Sequence, residues 1–538
     1  MFAMIERFSR RDFARTGAAA TLAALLPQGV FGDSAAKKKA VIHADSEIGT
    51  VRPEFHGHFA EHLGSCVYGG IWVGPKSPIP NIDGFRKDAV IYLKELGVPV
   101  LRWPGGCFAD DYHWRDGVGP AEKRPKRVNI HWGGYVEDNS FGTHEFVAFC
   151  RLIGAEPYFA ANVGTGQPRE MRDWMEYCNQ PSASTLADER AANGSPSPFG
   201  VKYWGVGNEL WGCGGQFTPE AAAAAFRHFA VFAPSFGVAR PFLVGCGPNG
   251  NDTRWTRGFL ETLAGGRLPD GFSMHFYENG TLPPEKFTDE AMTVQFNLFP
   301  RVEQAIVQQR ALLDGYDPQR RIGLILDEWG VWDRIPRDDE QQKGRLWQQS
   351  TMRSAVAAGL GLNLFNRQAD KLYMCNIAQM VNVLQSVLLT DGPAGAATVR
   401  TTTYYAFLLF KAHRGKTALQ VETDGPKLGD YNRGGRGQPQ PDPPPDLSLS
   451  ASRQGAEMVV TLVNPRPDAS IDVECALRGA SARRGTAQIL HDSDLNASNG
   501  FDHPDRIIIK PHEVAVDGPA FRIVLPALSL ATVALEVV

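Results

Sequence analysis

Eight short apolar, β-prone runs recur through the middle of the sequence, separated by stretches of helical period. The runs are EFHGHFA (54–60), VPVLRWP (98–104), PYFAANV (157–163), VKYWGVG (201–207), FLVGCG (242–247), GFSMHFY (271–277), IGLILD (322–327) and KLYMCNI (371–377). Between them lie FRKDAVIYLKELG, THEFVAFCRLIG, TPEAAAAAFRHFAVFAPSFG, VEQAIVQQRALLDG and QSTMRSAVAAGLG, several closed by the glycine that favours a helix C-terminus. Strand and helix alternating eight times, at roughly forty-residue spacing, predict an α/β fold: a closed (β/α)8 TIM barrel over residues 54–395 rather than an open doubly wound sheet. No glycine-rich dinucleotide or phosphate loop interrupts the pattern, which argues against a nucleotide enzyme.

Beyond TTTYYAFLLFKAHRG the texture changes. DLSLSASRQGAEMVVTLVNPRPDASIDVECALRG and FRIVLPALSLATVALEVV alternate apolar and polar residues between turn residues, which predicts a jelly-roll-like β-sandwich over 396–538. The Gly- and Pro-rich run YNRGGRGQPQPDPPPD (431–446) reads as an exposed loop, and AVIHADSEIG alternates well enough for residues 37–53 to add a strand to the sandwich. A chain of 538 residues is long enough for both domains. Charged residues make up 21% and nearly cancel to −4, so there is no basic field for a nucleic acid and the partner is expected to be small or neutral. At the N-terminus, SRRDFARTGAAATLAALLPQGVFG sets Arg10 and Arg11 before Phe13 and a short Ala-rich apolar stretch, the pattern of a twin-arginine signal over residues 1–36. The stretch is too short for a stable membrane span. The expectation is an exported protein, periplasmic or secreted, with no membrane attachment.

On a TIM barrel, function collects where strands end at the C-terminal face. The fourth run ends in Asn208 and Glu209, inside KYWGVGNELWGCGG, and the seventh in Asp327 and Glu328, inside LDEWGVW. Two glutamates at the mouth, each behind an apolar strand and beside tryptophans, suit the paired carboxylates of glycoside hydrolysis. One protonates the departing oxygen while the other meets the anomeric carbon. At about 5 to 5.5 Å separation the second attacks directly and configuration is retained. In such a pair the ionised partner keeps the acid protonated until the covalent intermediate removes that charge.

Together KYWGVGNELWGCGG, LDEWGVW, LRWPGGCFADDYHWRDGVGP, GHFAEHLGSCVYGGIW and NIAQMVNVLQSVL resemble the retaining α-L-arabinofuranosidases of glycoside hydrolase family 51. The resemblance implies a barrel with a jelly-roll sandwich and exo-acting release of terminal arabinofuranose from arabinoxylan, arabinan or their oligosaccharides. It implies no cofactor and no metal, and a homo-oligomer, often a hexamer. Residue by residue, it implies Glu209 as acid/base, Glu328 as nucleophile and Asn208 as the amide on the sugar 2-hydroxyl. Glu61 in FAEHLG, Tyr277 in MHFY and Gln379 in NIAQ match sugar contacts, Arg102 in LRWPGG steadies the nucleophile, and His275 supports the pair. Trp332, with Trp132, would form the platform for the next sugar. Cys107 falls at the sugar site and Cys213 four residues past Glu209, and the resemblance suggests a disulfide between them bracing the pocket. The chain departs from the family pattern at Leu210 and Gly330, where Asn is frequent.

Three alternatives stay open on these residues. One is another retaining glycosidase, an endo-glucanase or β-xylosidase. A second is a metal-dependent barrel hydrolase using His56 and His58 of HGHFAEH, for which His275 is the one further ligand candidate. The third is a non-catalytic sugar-binding protein. The remaining cysteines form no CxxC pair and are expected to be small core residues.

Overall fold

A computed structural model of the chain describes residues 35–237, 240–391, 395–423 and 446–538. The paired arginines and nearly all of the Gly- and Pro-rich run lie outside the described residues. Each of the eight runs forms a strand: β1 (Gly57–Phe59), β2 (Val100–Trp103), β3 (Glu156–Ala161), β4 (Tyr203–Val206), β5 (Phe242–Gly245), β6 (Gly271–Asn279), β7 (Gly323–Trp332) and β8 (Leu372–Ala378). Every strand pairs in parallel with the next, and β8 pairs with β1 to close the barrel. Helices Lys87–Leu96 and Thr143–Ile153 stop where Gly97 (φ 68°) and Gly154 (φ 80°) turn left-handed, as the sequence predicts.

Val100, Tyr158, Tyr203, Val244, Ile325 and Met374 come from six different strands yet form one separate buried cluster, which places them inside the barrel. The next layer toward the strand ends is polar. There Asp327 accepts hydrogen bonds from the Tyr158 hydroxyl (2.9 Å) and from Asn376 Nδ2 (2.8 Å). The larger apolar core fills the space between strands and outer helices. Helix Thr402–Phe410 follows β8 and packs Phe407 against His56 and His58, so it completes the outer ring, and the chain enters the sheet domain again at Thr417.

Ten strands of the second domain form one continuous hydrogen-bonded sheet. Strand Ala36–Thr50 lies within it, antiparallel to Thr417–Thr423 and parallel to Ile471–Arg478. Residues spread across its full width, among them Ile42, Leu449, Val473, Ile489, Phe521 and Val533, share a single core. Its distant parts also meet, the Ala482 amide donating to the Gly518 carbonyl at 2.7 Å. The sheet therefore rolls until its halves face each other, which makes the expected sandwich out of one ribbon. Helix Met352–Arg367 is buried along almost all its length between barrel and sheet. Its Asn363 Oδ1 accepts from Ser450 Oγ (2.7 Å) and Thr461 Oγ1 (2.6 Å) of the sheet. No helix of the described residues is long and apolar enough to cross a membrane.

Candidate active site

Strict alternation along β7 would send Asp327 and Glu328 to opposite faces. A bulge prevents this: Met274 of β6 pairs with Leu326 and His275 with Glu328, leaving Asp327 as the extra residue. Both carboxylates reach inward. Asp327 Oδ2 lies 3.3 Å from Arg102 Nε in the polar layer, and Glu328 occupies the mouth. Glu328 Oε1 accepts from Arg102 Nη1 at 2.8 Å, Oε2 accepts from the Tyr277 hydroxyl at 2.6 Å, and His275 Nδ1 stands 3.5 Å from Oε2. Burial pushes the Glu328 carboxyl up, but the charges of His275 and Arg102 and the hydrogen bonds from Tyr277 and Arg102 outweigh it and hold Glu328 below the ordinary range. Burial and the Glu328 charge raise the Tyr277 phenol, which keeps its proton and remains the donor.

At the end of β4 the chain turns sharply, with Glu209 itself at φ 43° and its carbonyl accepting the Gly212 (2.7 Å) and Gly214 (3.1 Å) amides. A glutamate in the left-handed region stores backbone strain that its surroundings must hold. Asp110, from the loop after β2, supplies part of that hold. Its Oδ2 accepts the Asn208 amide (2.7 Å), and its Oδ1 accepts the Val163 (2.7 Å) and Gly164 (2.9 Å) amides beyond β3. Burial pushes Asp110 up to about 7 against the pull of these amides. Arg102 Nη2 donates to Asn208 Oδ1, so Asn208 turns its Nδ2 away, buried and without a protein acceptor. The Glu209 side chain is 19% exposed, and its Oε1 lies 2.9 Å from His275 Nδ1. Burial lowers His275, but Glu328 and Glu209 more than offset this and raise it. One oxygen each from Glu209 and Glu328, with a His275 ring nitrogen, all lie within 4.8 Å of one another.

Glu61, beyond β1, accepts from the Phe108 amide (3.0 Å), Trp132 Nε1 (2.8 Å) and Gln379 Nε2 (3.0 Å). A Cβ on Gly106 would lie 2.6 Å from both Glu61 oxygens, so the second glycine of WPGG is a packing requirement. Burial, and after it the Glu328 charge, push Glu61 up to about 7 against its three donors. Half-buried Trp332 stands edge-on to Tyr277, ring centroids 5.2 Å apart. Cys107 and Cys213 are joined by a disulfide with Cα atoms 5.5 Å apart. Their sulfurs approach Glu209 Oε2 to 3.9 and 3.4 Å; bonded sulfurs carry no hydrogen, so these are contacts and not hydrogen bonds. The other six cysteines are buried free thiols.

All the residues expected at the mouth converge there, and two others expected only under the metal alternative do not. His56 and His58 are fully buried against Phe407, with ring centroids 5.7 and 5.1 Å away. Burial, then the Arg414 charge, lower both, His58 to about 3. Neither belongs to any group of three candidate metal ligands among the described residues. Leu210, where the family pattern is broken, is buried at 1% exposure within the larger apolar core. Sequence reasoning passed over Asp110, and it named Asp327 at the end of the seventh run without assigning it a partner. The ADD of CFADDYHW was the available signal, and nothing in it separates an aspartate that receives amides from a solvated one.

Two domain families match the chain. The Alpha-L-arabinofuranosidase 1 domain matches residues 92–232, and the Alpha-L-arabinofuranosidase C-terminal domain residues 327–529. A Bacteroides ovatus protein named intracellular exo-alpha-L-arabinofuranosidase is 40% identical over 515 residues, 93% of this chain and 96% of its own length. Alpha-L-arabinofuranosidase C of Emericella nidulans is 36% identical over 406 residues, 71% of this chain and 77% of its own. The crystal structure of the GH51 arabinofuranosidase from Xanthomonas axonopodis pv. citri superposes with a TM-score of 0.87 at 38% identity, covering 93% of this chain and all (100%) of that one. These matches do not favour the endo-glucanase, β-xylosidase or metal-hydrolase alternatives. They also correct the expectation of export. The Bacteroides ovatus relative, matched over nearly the whole chain, is named intracellular, and two arginines before a short apolar stretch are too unspecific a pattern to stand against it. On this identity and coverage, the chain belongs to the exo-acting α-L-arabinofuranosidases of glycoside hydrolase family 51.

Proposed function

We propose that Glu328 is the nucleophile and Glu209 the acid/base of a retaining double displacement that frees terminal arabinofuranose from arabinoxylan, arabinan or their oligosaccharides. The observation that carries this reading is the approach of Glu209 and Glu328 oxygens to within 4.8 Å. Inverting enzymes keep about 6.5–9.5 Å between carboxyls to admit a water, and retaining ones about 5–5.5 Å. Glu328, held ionised, attacks the anomeric carbon. The electron pair of the broken bond leaves with the aglycone oxygen, which takes the proton of Glu209. A water then gives a proton back to Glu209 as its oxygen displaces Glu328, and two inversions leave the configuration unchanged.

The surrounding groups divide this work. Asn208 Nδ2, free of protein acceptors, serves the sugar 2-hydroxyl, where contacts that strengthen in the transition state count most. Arg102 holds both Asn208 and Glu328. Glu61 and Gln379 bind further hydroxyls, and Trp332 and Trp132 flank the leaving sugar. The same reading includes a homo-oligomer, hexameric on the family resemblance. Exposed Val128, Ile130 and Val136 on the hairpin beside Trp132 support a covered surface there. Light scattering tests it, and a monomer at micromolar concentration would remove it.

Azide rescue tests the assignment of roles. Glu328→Ala with azide should release the arabinosyl azide of inverted configuration, because azide enters where the nucleophile stood. Glu209→Ala should release the retained azide, because there azide attacks the glycosyl-enzyme. The same azide anomer from both variants would refute the assignment.

A further inference from the structure

Two sulfurs lie beside the carboxylate read as the acid/base. Cys107 comes from the loop after β2 and Cys213 from the turn after Glu209, and all three side chains are half-buried at the mouth. Both Sγ atoms and one Glu209 oxygen fall within 4.8 Å of one another. His275 Nδ1 sits 2.9 Å from Glu209 Oε1, which leaves Oε2 facing the sulfurs at 3.4 and 3.9 Å. While the sulfurs are bonded to each other they offer a cation no charge. Once reduced, the same atoms are two thiols and a carboxylate converging on one point, the donor set of a zinc site with its fourth position open.

We propose that the reduced pocket is a Zn2+ site made by Cys107, Cys213 and Glu209, and that the disulfide prevents its formation. The consequence for activity rests on the reading of Glu209 as acid/base, since zinc occupies the oxygen that must carry the proton. The steps balance with a phosphine as reductant. Phosphorus takes the oxygen of a water and becomes a phosphine oxide, the S–S bond breaks, and the two hydrogens of that water end on the two sulfurs. Zn2+ then displaces both thiol protons to solvent, forming two Zn–S bonds of about 2.3 Å and one Zn–O bond of about 2.0–2.2 Å. The six other cysteines are buried free thiols and do not compete in the folded protein. A second group of ligand atoms, on Glu209, His275 and Glu328, needs no reduction, so the two sites respond differently to the phosphine.

The test uses the full chain before and after phosphine treatment, with Co2+ as the spectroscopic probe and Zn2+ as the inhibitor. In the folded enzyme two thiols should appear on reduction. The reduced form should bind one equivalent of Co2+ with a thiolate-to-cobalt charge-transfer band, and Zn2+ should lower its kcat/KM more than about tenfold, reversibly with a chelator. The oxidised form should change less than about twofold. Cys213→Ser, compared with itself with and without zinc, should lose the zinc response and at least half the band. Glu209→Gln should keep the band but bind Co2+ about tenfold more weakly. A bridge that survives excess phosphine, a reduced enzyme without the band, or equal inhibition of both forms would overturn the proposal, the last by assigning the metal to Glu209, His275 and Glu328. If wild type shows the band but Glu209→Gln hydrolyses natural substrate at the wild-type rate, the metal site stands and the acid/base reading falls.

Discussion

In sequence β4 and β7 present the same apparent motif, a glutamate behind an apolar run and beside a tryptophan, yet the fold treats the two in opposite ways. The Glu328 side chain is 7% exposed and held by Arg102 and Tyr277, with His275 facing it, on a strand whose bulge aims two successive acids inward. Glu209 sits on a strained turn, its side chain 19% exposed, with His275 on one oxygen and a disulfide against the other. A nucleophile must stay ionised and in place, which rigid donors provide. An acid/base must give up and regain a proton, which a rigid set of donors would obstruct. The difference between two like residues is therefore built from their partners, and it breaks or sharpens under substitution.

Removing the β7 carboxylate should have the largest effect. Glu328→Gln is expected to lower kcat/KM by about 10⁴-fold or more on every substrate, because no leaving group substitutes for the attacking oxygen that the proposed mechanism takes from Glu328. Glu209→Gln should cost about 10²–10⁴-fold on a natural arabinoside but far less on a dinitrophenyl arabinofuranoside, whose leaving group needs no proton. Steady-state kinetics on both substrates decide it, and equal losses would erase the distinction between the two strand ends.

Tyr277→Phe probes how donors hold Glu328. Losing a hydrogen bond to a charged acceptor, worth about 1.5–3 kcal/mol, should lower kcat about ten- to a hundredfold. The sign of the pH effect follows from which form is needed. In the proposed mechanism Glu328 acts ionised, and its donors hold it below the ordinary range, so activity should persist as pH falls until that carboxyl protonates. Without the phenol the carboxyl rises, and the acid limb of kcat/KM should move to higher pH. An unmoved limb would show that Tyr277 binds sugar without tuning the nucleophile. Asp110→Asn should act more weakly and on the other strand end. Its Oδ1 still receives two amides, but an amide group now faces the Asn208 N–H and displaces it. The expected loss is roughly three- to tenfold on an arabinofuranoside and less on its 2-deoxy analogue, if Asn208 serves the 2-hydroxyl as proposed. Equal losses on the two would make Asp110 merely structural.

Much of this was legible from residues alone, and the rest was not for identifiable reasons. The eight strands read clearly because each is a short apolar run, set apart from the next by a stretch of helical period. The bulge was invisible: alternation assigns faces by parity, and no residue type announces that parity breaks at Asp327. Parity also explains the misleading HGHFAEH pattern. Phe59 lies under the Arg102 guanidinium inside the barrel, so His58 must face outward, and there it meets Phe407. Helix Thr402–Phe410 is apolar on nearly every side because it is buried on nearly every side, so no period of 3.6 betrays it. The sandwich strands were readable, the N-terminal strand among them, but not the order in which they pair to make one continuous sheet, since alternation marks a strand and not its neighbours.

A third carboxyl isolates what the donors contribute. Glu278 follows Tyr277 on β6 and so faces the opposite way, 1% exposed, with Oε2 lacking any donor. Burial pushes it up to about 8, whereas equally sequestered Glu328, with its donors and charges, is held down. Burial is common to both, so the partners decide the direction. Because the folded carboxyl lies above its usual value of 4.5, the fold favours the protonated form. Its contribution to stability is complete below that value and is lost as pH rises toward and through about 8. Glu278→Gln keeps the shape and has no proton to lose. Activity should stay within about twofold, and the melting temperature of the variant relative to wild type should climb from near parity at about pH 5 to a clear gain at about pH 8.5. Calorimetry at the two pH values measures it. A constant difference would mean that Glu278 carries its charge in the folded protein, and that burial without donors does not by itself separate it from Glu328.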